Sequence, residues 1–174
     1  MKRTQLASLV LVPAMMLIAG QVHGSTIGPE CGSCYGNTFT LSYFSVGPSD
    51  QYRVALTIDT SGFVAAGTGE WLASVSIKIA PKPDYLSFTS VSWPSNWVSS
   101  LAFSAGFITD TNFSPMKLNL PNGTLTWVWD VVVAPGTLFT GPDEASVKVT
   151  YTRVGPQGQL QQRKTAESIT LVGP

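Results

Sequence analysis

Histidine is almost missing from this chain. One stands among 174 residues, His23, and it falls inside a leader segment. Imidazole is the commonest general base and metal ligand near neutral pH, so a chain that loses its only histidine cannot build a Ser-His-Asp or Cys-His catalytic arrangement. It cannot build a His-ligated zinc or haem site either. Charge is also scarce: 11% of residues are charged, against about 25% in ordinary soluble domains. The ten basic residues never occur more than two together and are matched by ten acidic ones. That excludes a phosphate-binding face and hence nucleic acid as a partner. Two cysteines, Cys31 and Cys34, are too few for a four-thiolate metal cage. Long apolar runs are lacking too. The longest, Leu6 to Ala19, has 14 residues, short of the roughly 20 that span a bilayer as a helix.

That run follows Lys2 and Arg3 and leads into Val22-His23-Gly24 before Ser25. A basic start, a short apolar stretch and small residues at its end read as a secretory signal peptide over 1–24, cleaved after Gly24. No cysteine follows directly, so no lipid anchor is expected there. The mature chain, 25–174, then carries eight basic and ten acidic groups, a formal charge of −2, no histidine and no stable membrane anchor. Ser and Thr make up 35 of its 150 residues, which suggests β-sheets with hydroxyl-bearing outer faces. The length fits one domain.

Alternation of apolar and polar residues dominates. Phe39, Leu41 and Tyr43 alternate within 38–45, and Tyr52, Val54, Leu56 and Ile58 within 52–59, with turn residues at 47–50 and 59–62. Period two of this kind marks strands with one buried face, and the pair reads as an antiparallel hairpin. Further strands are expected over 71–80, 85–92, 124–134, 146–152 and 167–172, with Gly155-Pro156-Gln157-Gly158 as a turn between the last two. The run 124–134 is the best defined, with Leu125, Trp127, Trp129, Val131 and Val133 on one face. The segment 93–122 reads as a long connection holding at most one or two short strands, and 141–144 could start a single helical turn. No 3.6-residue period is sustained. Short strands separated by turn signals predict an all-β antiparallel sandwich of about seven to nine strands, immunoglobulin-like or jelly-roll-like.

Four groups of residues invite a chemical reading. Cys31-Gly32-Ser33-Cys34 lacks the strand-to-helix setting of a redox site, the following histidine of a haem attachment site and the extra ligands of zinc. A local disulfide formed after export is expected. The ten carboxylates, among them Glu70 and Asp130, show no spacing that pairs them as a glycosidase would require. Asp110-Thr111-Asn112-Phe113-Ser114 alternates side-chain oxygens as calcium loops do, but Pro115 replaces the glycine and no bidentate Glu follows. Trp93-Pro94-Ser95-Asn96-Trp97 places two indoles in a polar loop, where they could stack on sugar rings or close one end of the sandwich. Trp93 and Trp97 are therefore the candidate ligand contacts. No catalytic residue, metal or cofactor is assigned.

The segments 31–43 (CGSCYGNTFTLSY), 124–130 (TLTWVWD), 136–149 (GTLFTGPDEASVKV) and 167–171 (ESITL) together resemble bacterial exported proteins of the PEP-CTERM, exosortase-sorted type. The likeness covers both ends of the mature domain but not 80–120. It implies export and association with exopolysaccharide and biofilm matrix, and it lends no residue a catalytic role. Such proteins normally carry a Pro-Glu-Pro motif, an apolar helix and a basic tail. This sequence ends at Val172-Gly173-Pro174, which leaves a freely released variant and a sequence cut before its sorting tail as open readings.

The expectation is a non-catalytic secreted protein of the cell surface or extracellular matrix, with extracellular polysaccharide or envelope proteins as partners. The first alternative is a carbohydrate-binding module using Trp93 and Trp97. A carboxylate-dependent glycosidase and an adhesin-like subunit pairing through a sheet edge are the others.

Overall fold

The computed structural model describes residues 22–47, 50–112, 123–137, 139, 145–169 and 171. Residues 1–21 of the expected leader over 1–24, the helical turn at 141–144 and the end of the calcium-like segment lie outside them. The period-two runs form strands as the alternation predicts, because only an extended chain puts every second side chain on the same face. In chain order they are β1 (His23–Ile27), β2 (Thr38–Ser45), β3 (Gln51–Asp59), β4 (Trp71–Lys78), β5 (Tyr85–Ser92), β6 (Leu101–Ser104), β7 (Phe107–Thr111), β8 (Thr124–Val133), β9 (Ser146–Val154) and β10 (Leu160–Ser168). A single 3-10 turn, Lys82–Asp84, precedes β5.

The strands pair antiparallel in two sheets of five, ordered β1-β2-β3-β8-β5 and β10-β9-β4-β7-β6. The molecule is thus the expected all-β sandwich, with ten described strands. β1 is additional to the expected strands, and β6 and β7 are the two short strands that the connection over 93–122 left room for. His23 and Gly24, read as the end of the leader, belong to β1 and pair with Tyr43 and Ser42.

Register explains the core. Leu41, Leu56 and Trp127 stand in one row across β2, β3 and β8, and Tyr43, Val54 and Trp129 in the next. All six are buried, together with Val75 and Ile77 of β4 and Val147, Val149 and Tyr151 of β9 in the facing sheet. The outer faces carry hydroxyls. Thr26, Thr40, Thr57 and Thr126 form a row across four strands, with Oγ1 atoms 2.9 Å apart between the first two and 3.2 Å between the last two. Ser76 and Thr109 pair at 2.9 Å on the other sheet.

The closing strand differs from the expectation of 167–172. β10 ends at Ser168, and Ile169 and Leu171 are buried just beyond it. Its inward positions opposite β9 are Arg163, Thr165 and Glu167. A strand whose inner face is polar carries no hydrophobic alternation, which is why the sequence pattern passes over it.

Candidate functional site

The polar inner face of β10 is covered by the loop 28–37, which links β1 to β2. Cys31 and Cys34 stand at disulfide distance in it, with Cα atoms 5.2 Å apart, and a backbone bond from Cys34 N to Cys31 O at 3.0 Å closes the same turn. The loop is laced to β10 and β9. The Thr165 hydroxyl donates to Ser33 O at 2.6 Å, and the Ser33 hydroxyl donates to Glu167 Oε1. The buried Asn37 donates through Nδ2 to the Tyr151 hydroxyl at 2.7 Å. Burial pushes the Tyr151 phenol well above its ordinary range despite the donors around it. Gly36 has a φ of 81° and lies against Gly62, where a Cβ would run into the Gly62 carbonyl. Only glycine allows that approach.

Beside the loop, Arg163 reaches inward from β10 onto an aromatic nest. Its guanidinium lies 3.9 Å from the ring centre of Tyr35 and 5.3 Å from that of Phe63. Nε and Nη2 donate to the two oxygens of Glu70, each at 2.7 Å, and Glu70 Oε2 also accepts from Ala66 N at 2.8 Å. Glu70 is 5% exposed. A charge so buried is tolerated because a bidentate partner and a backbone donor replace its water.

Two adjoining depressions open at this end of the fold. One, of about 440 Å³, is lined by Thr68, Arg153, Val154, Gly155, Pro156 and Gln161. The other, of about 200 Å³, adds Ala66, Glu70, Gln162 and Arg163. Arg153 and Gln161 line both, so they stand between the two.

At the opposite flank the two loop tryptophans part company. Trp93 is 43% exposed. Trp97 is 3% exposed: its ring stands edge-on to Trp127 with centroids 4.9 Å apart, and its Nε1 donates to Asp110 Oδ1 at 3.0 Å. The reason lies in Asp110, itself buried. It also accepts from Ser100 N at 3.0 Å and the Ser99 hydroxyl at 2.8 Å, so folding the loop inward supplies three donors to one carboxylate. The same bonds give Asp110 a structural role in place of the calcium-loop pattern. Asn112 likewise turns to the loop, accepting from Val98 N at 3.1 Å.

Asp130 lies on the outer face and pairs with its cross-strand neighbour Arg53 at 2.8 and 2.9 Å. The bonded guanidinium lowers the Asp130 carboxyl below its ordinary value. Among the described residues one group of metal-ligating side chains, Cys31, Cys34 and Glu167, has its ligand atoms within 4.8 Å of one another. At disulfide distance, the two sulfurs are placed to bond to each other, and in a disulfide they are not the thiolates that bind metal.

The sequence pattern does not single out the Glu70–Arg163 pair or the Arg153 depressions. The available signal was the scarcity of charge. In a chain with so few ionic groups, an arginine alternating with Gln161, Thr165 and Glu167 is a strand that turns polar side chains inward.

No family model matches this chain, and no curated protein matches it. Among solved structures it is similar to the KRT10-binding region domain of the pneumococcal serine-rich repeat protein PsrP, at a TM-score of 0.30 and 12% identity, over 86% of this chain and 99% of that one. A likeness that distant carries no inference about what this chain binds.

Proposed function

We propose that this chain is an exported, non-catalytic β-sandwich that works at the cell surface or in the extracellular matrix, with polysaccharide or envelope proteins as its partners. The observation that carries the reading is the use made of the buried carboxylates. Glu70 is held by Arg163 and Ala66 N, and Asp110 by Trp97, Ser99 and Ser100. Acids bound in this way have their oxygens taken up by the protein's own donors and serve to position loops. The cysteine pair at disulfide distance suits an oxidising compartment, and the PEP-CTERM likeness points the same way.

The second reading, a carbohydrate-binding module, draws on Trp93. It is exposed, as are its neighbours in sequence Val91 and Val98, and an indole face of this kind can stack on a sugar ring. The buried Trp97 would then support the loop.

Fractionation of the producing cells, with thiol alkylation before and after reduction, tests the main reading. The protein should be found outside the cytoplasm, with both cysteines alkylated only after reduction. Cytoplasmic protein with two reactive thiols would sink it.

A further inference from the structure

We infer that the depressions around Arg153 form a binding site for the carboxylate of an acidic polysaccharide, one built of uronic acid residues. The inference deepens the reading of an extracellular partner and rests on it. Two arginines line this surface, and they differ in charge balance. Arg163 is neutralised by Glu70, whose two oxygens are both engaged by it. Arg153 donates to a neutral acceptor, the Ala66 carbonyl, and no ion pair joins it to a carboxylate among the described residues. Glu70 is the one acid lining either depression, so Glu70, Arg163 and Arg153 together keep one uncompensated positive charge. A guanidinium has five N–H donors in a planar fork that matches a carboxylate. Most of those on Arg153 have no protein partner among the described residues.

The surroundings suit a sugar acid better than a bare anion. Gln161, Gln162 and Thr68 bring carboxamides and a hydroxyl, groups that both give and accept hydrogen bonds as sugar hydroxyls do. Val154 and Pro156 add apolar surface against which the C–H face of a ring can rest. β10 is an edge strand, so among the described residues no further strand of the sheet lies beyond it to bar a polymer from passing across. An acidic peptide is less well matched. It brings carboxylates to the guanidinium but not the ring hydroxyls that Gln161, Gln162 and Thr68 are placed to bond.

Calorimetric titration of the purified protein with oligogalacturonate tests the assignment, with methyl-esterified oligogalacturonate and polyaspartate as comparison ligands. Arg153→Gln and Arg153→Lys are measured beside the wild type, with thermal melting as the check on folding. Binding should be specific for the free acid and should weaken as salt rises. Arg153→Gln should weaken it roughly tenfold or more, and Arg153→Lys should fall between. Equal binding of the methyl ester, equal binding of polyaspartate, or wild-type affinity in a folded Arg153→Gln protein would each overturn the site. So would no binding of oligogalacturonate at all. The broader reading is judged separately: a protein retained in the cytoplasm defeats it even if Arg153 binds uronate in the tube, and an exported protein that ignores uronate defeats only this inference.

Discussion

At one flank of the sandwich Tyr85 and Phe88 of β5 meet Phe103 of β6 with ring centroids 5.1 and 5.3 Å apart, and Trp97 stands edge-on to Trp127. At the other flank β10 turns Arg163, Thr165 and Glu167 inward, and the gap is filled by the loop that holds the cysteine pair, the ion pair of Arg163 with the buried Glu70, and hydrogen bonds. Both flanks keep water from the same core. The aromatic seam does so by area and shape, which tolerate small shifts. The polar seam does so by matched donors and acceptors, which fail singly if one partner is removed. A flank held by specific bonds also offers leftover polar groups at its rim, and there the Arg153 depressions open.

Truncating the aromatic seam should cost most. Trp97→Ala removes a buried indole and leaves Asp110 short of a donor, a loss of about 4 kcal/mol by the range for such truncations, read as a shift in the chemical denaturation midpoint. Trp97→Phe should recover part of it by restoring packing without the bond. An equal loss in both variants would make the hydrogen bond, and not the area, the holding force at that flank.

On the polar side Glu70→Ala strands Arg163 among the rings and should cost about 3 kcal/mol, as for other half-removed buried pairs. The double variant Glu70→Ala/Arg163→Met should be more stable than the single one; if it is not, the two flanks are less different than their chemistry implies. Opening the Cys31–Cys34 link by replacing both with Ser should cost roughly 2 kcal/mol, as expected for so short a closed loop. Amide exchange should then rise in 28–37 and β10 before it rises in β5 or β6.

The smallest effect belongs to neither flank. Arg53→Ala on the outer face should cost under about 1 kcal/mol, since both partners are more than a third exposed and solvent screens the pair. The Asp130 carboxyl is lowered in the folded state, so the pair's contribution is present above the ordinary Asp value of about 3.9 and is lost as pH falls through the lowered one. The difference between wild type and Arg53→Ala should therefore shrink below about pH 4 and be steady near neutrality.

The sequence makes the aromatic half of the molecule readable and the polar half obscure. Trp127, Trp129, Val131 and Val133 announce an inner face by alternation, and the turn residues at 59–62 and 155–158 announce the bends. At the first of these Ser61 N bonds to Asp59 Oδ1, and at the second Gly158 N bonds to Gly155 O. β10 has no such signature, since hydrogen bonds and an ion pair replace apolar burial along it. The inward turn of Trp97 depends on Asp110, which is distant in sequence and meets the loop only after β6 and β7 have paired. Spacing could mark Trp93 and Trp97 as unusual but not separate them. The Cys31–Cys34 approach was legible because it is local.

The sheet order bears on how the protein comes to exist. The chain changes layers after β3, β4, β5, β7 and β8, and the middle of the first sheet joins β3 to β8 while that of the second joins β4 to β9. No continuous stretch can complete either layer, and each central pairing must close a loop of more than sixty residues. Such long-range closure makes folding slow, on the order of milliseconds to seconds. Until β8 and β9 emerge, β3 and β4 have open sides. A newly made chain therefore cannot close the centre of either layer until β8 and β9 have been synthesised.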